Sequence, residues 1–172
     1  MDAPLALVVM GVSGSGKSSI GKALASVARC DFVDADDLHP AANVEKMRGG
    51  TPLTDEDRWP WLAAVARAME ERLTKGAGIV VACSALKRVY RDRLRSVGPS
   101  VRFVHLHGSE ALIGARLVRR ADHFFDPRLL ASQFATLEVP DPASEPDVLI
   151  VDAAASFATV IATVTAALGI GD

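Results

Sequence analysis

Short apolar runs and longer stretches of helical periodicity alternate along this chain from one end to the other. Residues 5–10 (Leu-Ala-Leu-Val-Val-Met) form an unbroken apolar run with the length of a parallel strand buried on both faces. Residues 79–83 repeat that pattern, and 101–106 and 148–151 read as further strands. Asp31, Phe32 and Val33 form a short one that ends at Asp34. After the first strand, Ile20, Leu24 and Val27 fall on one helical face. Residues 41–49 predict a short helix stopped by Gly49 and Gly50, and 60–73 a longer one with Trp61, Val65, Met69 and Leu73 inward. Pro60 suits the first turn of that helix, where a missing N–H costs little. A basic helix then carries Leu86, Tyr90 and Leu94, and residues 109–120 turn Leu112, Ile113 and Leu117 inward. Asp126 followed by Pro127 reads as an N-cap and first helical residue, opening a helix with Leu130, Phe134 and Leu137 on one side. Residues 156–168 form the last helix, and 138–147, rich in Pro, Asp and Glu, a surface loop. Strands separated by helical crossovers predict a three-layer α/β fold, a five-stranded, doubly wound parallel sheet flanked by helices.

Size and composition narrow the function classes. A chain of 172 residues makes one domain, residues 1–172, and 49% hydrophobic with 23% charged residues is ordinary for a packed protein. A net charge of −2 gives no reason to expect a nucleic acid or a membrane surface as partner. The apolar runs stop short of the ~18 residues a membrane span needs. Met1-Asp2-Ala3-Pro4 lacks the basic stretch of a secretion signal. Cys30 and Cys83 have no metal-ligand spacing and read as small buried hydrophobes in a reducing cytoplasm.

The most specific segment follows the first strand: Gly11-Val12-Ser13-Gly14-Ser15-Gly16-Lys17-Ser18, a G-x-x-x-x-G-K-[ST] phosphate loop. A strand before it and a helix after it separate it from a chance Gly/Ser-rich turn. Gly11, Ser13, Gly14, Ser15 and Gly16 let successive backbone N–H groups point at phosphate oxygens, and Ser19 continues the helix N-terminus with its partial positive charge. Lys17 would reach the β and γ phosphates and Ser18 would ligate Mg²⁺, so the chain is expected to bind a nucleoside triphosphate such as ATP. The second strand ends in Asp34-Ala35-Asp36-Asp37-Leu38-His39-Pro40. Alternation puts Asp34 and Asp36 on one side of an extended segment. Asp34 is the candidate for orienting the metal's water shell, and Asp36 for accepting a substrate hydroxyl proton.

The blocks that follow resemble the gluconokinase family. They are the phosphate loop, Asp34-x-Asp36-x-Leu38-His39-Pro40, Asn43-x-Glu45-Lys46-Met47 and Pro52-Leu53-Thr54-Asp55-Glu56-Asp57-Arg58-x-Pro60-Trp61-Leu62. Cys83-Ser84-Ala85-Leu86-Lys87-Arg88-x-Tyr90-Arg91-Asp92, His123-Phe124-Phe125 and Ser132-Gln133-Phe134-x-Thr136-Leu137-Glu138 continue the series in order. The resemblance implies a small P-loop kinase fold with a mobile lid at about residues 117–127, a homodimer, and transfer of the γ-phosphoryl of ATP to the 6-hydroxyl of D-gluconate with Mg²⁺. Gluconate has a carboxylate at the end away from its reacting hydroxyl. Arg58 is therefore the candidate carboxylate clamp, because its planar fork matches a carboxylate. His39, Lys46 and Lys87 are candidate donors to the polyol hydroxyls, and Ser84 and His123 complete the substrate-binding set. Lys87 aside, the basic run Arg88, Arg91, Arg93 and Arg95 reads as a solvated helix face. In the lid, Arg120 is the candidate stabiliser of the transferring phosphoryl, and Arg116 a candidate to stack on adenine. The same residues leave open a kinase of this fold with another acceptor, or a non-catalytic ATP-binding module.

Overall fold

A computed structural model describes residues 3–119 and 126–171. Five strands, β1 (Ala6–Met10), β2 (Asp31–Asp34), β3 (Ile79–Ala82), β4 (Val101–His107) and β5 (Val148–Asp152), pair in parallel in the order β2-β3-β1-β4-β5. The expected doubly wound α/β sheet is what forms. β1 lies in its centre, bonded to β3 from Ala6 opposite Ile79 and to β4 from Ala6 opposite Val101. Side chains alternate between the two faces of a strand, so β1 feeds two cores. Ala6, Val8 and Met10 join Trp61, Val65, Met69, Tyr90 and Phe103 on one side. Leu7 and Val9 join Ile20, Leu24, Ile113, Leu130 and Val164 on the other. The first core is covered by α3 (Asp55–Thr74) and α4 (Arg88–Arg95); the second by α1 (Lys17–Ala28), α5 (Glu110–Arg119), α6 (Pro127–Thr136) and α7 (Phe157–Leu168). The short α2 (Ala41–Arg48) precedes α3.

Four expectations need correction. First, α3 starts at Asp55, five residues before Pro60, because Thr54 and Asp57 form a capping box: Thr54 Oγ1 accepts from Asp57 N at 3.2 Å and Asp57 Oδ2 accepts from Thr54 N at 2.9 Å. Pro60 sits inside the helix, and the carbonyl it leaves unbonded belongs to exposed Glu56, where water can satisfy it. Second, Val27 is 40% exposed; Ile20, Gly21, Leu24 and Ala25 form the buried stripe of α1. Third, Leu86 precedes α4 and does not belong to it.

The fourth correction concerns the basic helix. Arg91 is completely buried, and each of its five N–H donors is used. Nε and Nη2 bind the two Glu145 oxygens at 2.7 Å each, Nη1 binds the carbonyls of Ala85 and Leu86 at 3.0 and 3.1 Å, and Nη2 also binds the Glu138 carbonyl at 3.1 Å. Arg95 adds contacts to Glu145, Asp147 and Asp92 at 2.5 to 2.7 Å. Part of the expected surface loop 138–147 is therefore interior: Glu145 is 3% exposed, and its carboxyl is drawn down to about 2, first by the Arg91 hydrogen bonds. Helical periodicity could not see this, because Glu138 and Glu145, which complete Arg91's bonding, lie about fifty residues along the chain. Removing one member of a buried pair strands the other charge, so Glu145→Gln should lower unfolding free energy by about 3 kcal/mol. A urea-denaturation midpoint equal to that of the parent protein would contradict this.

Candidate active site

At the carboxyl end of β1 the chain turns through Gly11, whose φ of 147° and near contact leave no room for a side chain: an added Cβ would lie 2.8 Å from Ser15 Oγ and 3.0 Å from the Leu106 carbonyl. Gly16, at φ 99°, caps α1, so that helix presents its unbonded N–H groups at the loop. Lys17 Nζ donates to the Val12 carbonyl at 2.9 Å, curling over the loop. Ser15 Oγ is buried there with no hydrogen-bond partner among the described residues. From the first turn of α1, Ser18 Oγ donates to Asp34 Oδ2 at 2.6 Å across to the tip of β2.

Beyond Asp34 the chain does not stay extended. Residues Ala35–Leu38 form a 3₁₀ turn that Asp34 caps, its Oδ1 accepting from Asp36 N at 3.0 Å. The expected strand-like alternation of Asp34 and Asp36 is therefore replaced by a turn, which points the two carboxylates to different tasks. Asp34 faces Ser18, and Asp36 lines a cavity of about 510 Å³ shared with Ser13, Lys17, His39, Arg58 and Ser84. Asp36 is exposed as a residue, yet desolvation at the cavity wall raises its carboxyl above the ordinary aspartate value. Lys17 opposes this rise, and Asp34 and Asp37 add to it.

The far wall rests on α3. Trp61 anchors the 3₁₀ turn by donating from Nε1 to the Ala35 carbonyl at 2.7 Å, and His39 stacks on the Trp61 ring with centroids 4.2 Å apart. Asn43 Nδ2, a donor that also binds the Asp57 carbonyl, lies 3.2 Å from His39 Nδ1, so Nδ1 accepts and the proton sits on Nε2. Burial, then the charge of Arg58, pulls His39 down to about 4. It is a neutral donor at physiological pH. Arg58 Nη1 donates to the Leu53 carbonyl at 2.8 Å and to Tyr90 Oη at 3.1 Å.

Lys46 and Lys87 lie outside this lining. Lys46 pairs with Asp57 at 2.8 Å and Lys87 with Asp55 at 3.0 Å, both acids belonging to the first turn of α3. Gly14, Ser15, Gly16, Ser19 and Arg116 line a second cavity of about 230 Å³ behind the loop, where Arg116 Nη2 donates to the Ala153 carbonyl at 2.5 Å. Arg120 and His123 lie outside the described residues, as does most of the expected lid.

Several lining residues, Arg48 and Gln133 among them, were given no site role from the sequence. Arg48, at the end of α2, has the pattern of any exposed helix-terminal cation. Gln133 on α6 lines the cavity and grips the phosphate loop: its Oε1 accepts from Ser13 N at 2.7 Å and its Nε2 donates to Ser13 Oγ at 3.1 Å. These partners are 120 positions apart, and no local spacing announces them.

A central strand, a phosphate loop opening a helix, and an acidic strand tip facing a cavity define a P-loop small-molecule kinase. The chain matches the family described as an AAA domain over residues 7–140. It is 50% identical over 137 residues to a gluconokinase of Gluconobacter oxydans, covering 80% of this chain and 77% of that one. It is similar to the crystal structure of a gluconokinase from Sinorhizobium meliloti, with a TM-score of 0.87, 46% identity, and 98% and 94% of the two chains covered. A sugar kinase from Janibacter gives a TM-score of 0.91 at 42% identity, with 97% and 95% covered. The chain belongs to the gluconokinase family.

One prediction follows from Gln133 on the cavity wall and one from two desolvated histidines, His39 and His105. Gln133→Ala removes both contacts to Ser13, and at about 1 kcal/mol per hydrogen bond should raise the ATP KM by up to roughly thirtyfold. Steady-state kinetics with ATP varied checks this. His39 and buried His105 are both held down at about 4, in each case first by desolvation, against 6.5 when unfolded. Between these values the unfolded chain binds protons that the native protein refuses, so stability is full above pH 6.5 and falls as pH drops toward 4. Urea midpoints across that window should decline, and less steeply in His105→Gln.

Proposed function

We propose that this protein transfers the γ-phosphoryl group of ATP to the 6-hydroxyl of D-gluconate, forming 6-phospho-D-gluconate and ADP. The observation that carries the reading is one cavity bounded by Ser13 and Lys17 of the phosphate loop on one side, Asp36 between, and Arg58 on the far wall. A triphosphate at the loop would present its γ phosphate to that cavity. A six-carbon acid with its carboxylate on Arg58 would bring its opposite end, the 6-hydroxyl, toward Asp36. The match to gluconokinases over most of the chain favours this acceptor over another small alcohol, and favours an enzyme over a silent nucleotide-binding module.

In this reading the loop amides and Lys17 hold the β and γ phosphates, Asp36 orients the hydroxyl and takes its proton, and Arg120 neutralises the transferring group. Arg116 packs against adenine in the second cavity. His39 donates from Nε2 to a polyol hydroxyl, Ser84 adds a hydroxyl contact and His123 a further donor, whereas Lys46 and Lys87, paired with Asp57 and Asp55 outside the cavity lining, are not assigned direct contact. Ser18 and Asp34 fit Mg²⁺: a hydroxyl and a carboxylate meeting at 2.6 Å are the oxygen-only donors this ion accepts when phosphates and water complete its shell. Bound there, Mg²⁺ would offset charge on the β and γ oxygens. Among the described residues no three His, Cys, Asp or Glu side chains cluster as a metal cage. We take the protein to be a single kinase domain with a lid at about residues 117–127, a homodimer as the family resemblance implies, and cytoplasmic. Its net charge of −2 and its similarity to gluconokinases support small molecules as partners rather than nucleic acid or a membrane surface; no described helix is long and apolar enough to cross a membrane.

The decisive experiment incubates the protein with Mg-ATP and a panel of acceptors (gluconate, shikimate, nucleoside monophosphates, glucose) and identifies the product. 6-Phosphogluconate as the dominant product is expected; preferential turnover of another acceptor would overturn the assignment. Asp36→Asn should lower kcat by roughly 100-fold or more, with little effect on the ATP KM. Because the Asp36 carboxyl is raised and must be ionised to act, the acidic limb of kcat should lie above the ordinary aspartate range and vanish in this variant.

A further inference from the structure

Arg58 has five N–H donors, and both hydrogens of Nη1 are committed, one to the Leu53 carbonyl and one to Tyr90 Oη. Among the described residues nothing occupies Nε or Nη2. These two nitrogens form one edge of the guanidinium, with two parallel N–H vectors spaced for the two oxygens of a carboxylate. The arginine is therefore anchored at one corner and open along the adjoining edge, on a residue that lines the cavity.

The anchor has its own support. Tyr90 is 1% exposed, with its ring in the core beneath α3 and α4. Its single hydroxyl proton goes to Asp55 Oδ1, which turns the oxygen lone pairs toward Arg58. Asp55 in turn is held by Lys87 Nζ at 3.0 Å. Hydrogen bonds from Tyr90 and then Lys87 keep the Asp55 carboxyl below the usual range, while burial and then Asp55 push the Tyr90 phenol up to about 12. The proton order Asp55⁻, Tyr90 O–H, Arg58⁺ thus holds throughout the neutral range.

We propose that Tyr90, backed by Asp55, is a positioning residue that anchors Arg58 through Nη1 and so leaves its Nε–Nη2 edge to bind the substrate carboxylate, making the site selective for an acid over a neutral polyol. The proposal rests on the gluconate reading above and adds to it the residues that enforce the preference. It also gives Lys87 a different task from direct substrate contact: fixing the acid that fixes the tyrosine.

Tyr90→Phe tests this, because it keeps the buried ring and deletes only the hydroxyl. The gluconate KM should rise roughly tenfold or more, the loss expected for a hydrogen bond to a charged group, while the ATP KM holds. Asp55→Asn, altered at a partly exposed helix terminus away from the core, should shift the gluconate KM the same way by a smaller factor. In an Arg58→Lys background, which already lacks the fork, Tyr90→Phe should add nothing further. If Arg58→Lys raises the gluconate KM but Tyr90→Phe and Asp55→Asn do not, the relay is wrong and the carboxylate clamp stands. A full additive effect of Tyr90→Phe in the Arg58→Lys background overturns the relay as well. If Arg58→Lys itself leaves the gluconate KM unchanged, the clamp and the relay fall together.

Discussion

Every residue of β1 is shut off from water, and that burial on both faces organises the rest of the molecule. Such a strand has no face to give to solvent, so it must lie at the centre of a parallel sheet with helices above and below. Its carboxyl end then opens between β3 and β4, where two neighbouring chains diverge and a loop can turn with its amides outward. The phosphate loop occupies that position, and Gly11 passes so close to Ser15 and the Leu106 carbonyl that the turn admits no side chain. Placement of the loop is thus a consequence of hydrophobic burial, and its shape a consequence of three glycines at positive φ, Gly11, Gly14 and Gly16.

Around this point the site is assembled from elements that do not follow one another in sequence. Ser18 reaches Asp34 on β2, Ser13 is gripped by Gln133 on α6, and Ser84 is held by the loop after β3. That last loop carries Ala85 in a left-handed conformation at φ 44°, unusual for a residue with a side chain. The buried guanidinium of Arg91 binds the carbonyls of Ala85 itself and of Leu86, and ties them to Glu138 just beyond α6. One desolvated cation therefore supports two walls of the cavity. Its full complement of hydrogen bonds and its pairing with Glu145 are what make its burial tolerable.

The electrostatic character of the cavity follows from the same economy of cations. Lys46 and Lys87 are engaged by acids at the start of α3, while Arg58 is held by neutral groups, a carbonyl and a phenol. An arginine secured by neutral acceptors keeps its charge available to an incoming anion, whereas a lysine already paired with a carboxylate has less to offer. Adjacent His39 is uncharged and contributes direction without net charge. The cavity thus separates two functions: a cationic far wall suited to a carboxylate, and an acidic centre suited to a hydroxyl.

Much of this was legible in the chain itself. Apolar runs of strand length, helical periodicity and the Gly11–Ser18 pattern determined the parallel α/β architecture and the phosphate loop, because burial and loop geometry are local demands that single segments must meet. The neighbourhood of Asp34 and Asp36 was legible too, since the strand end beside the loop fixes it, whereas Arg58, on α3, was reached from its planar fork and the family resemblance. Tertiary structure alone decided which charges serve the site and which serve the fold. Arg91 and Arg88 share one basic run, yet only packing against Glu145 buries the first. Gln133 stands in a family-like block, but its role shows only when α6 folds back over Ser13. Asp36 leaves the line of Asp34 because a side-chain cap bends the chain into a turn. The physical reason is the same in each case: a polar group's role is set by the partners that remain after water is removed, and those partners come from elsewhere in the sequence.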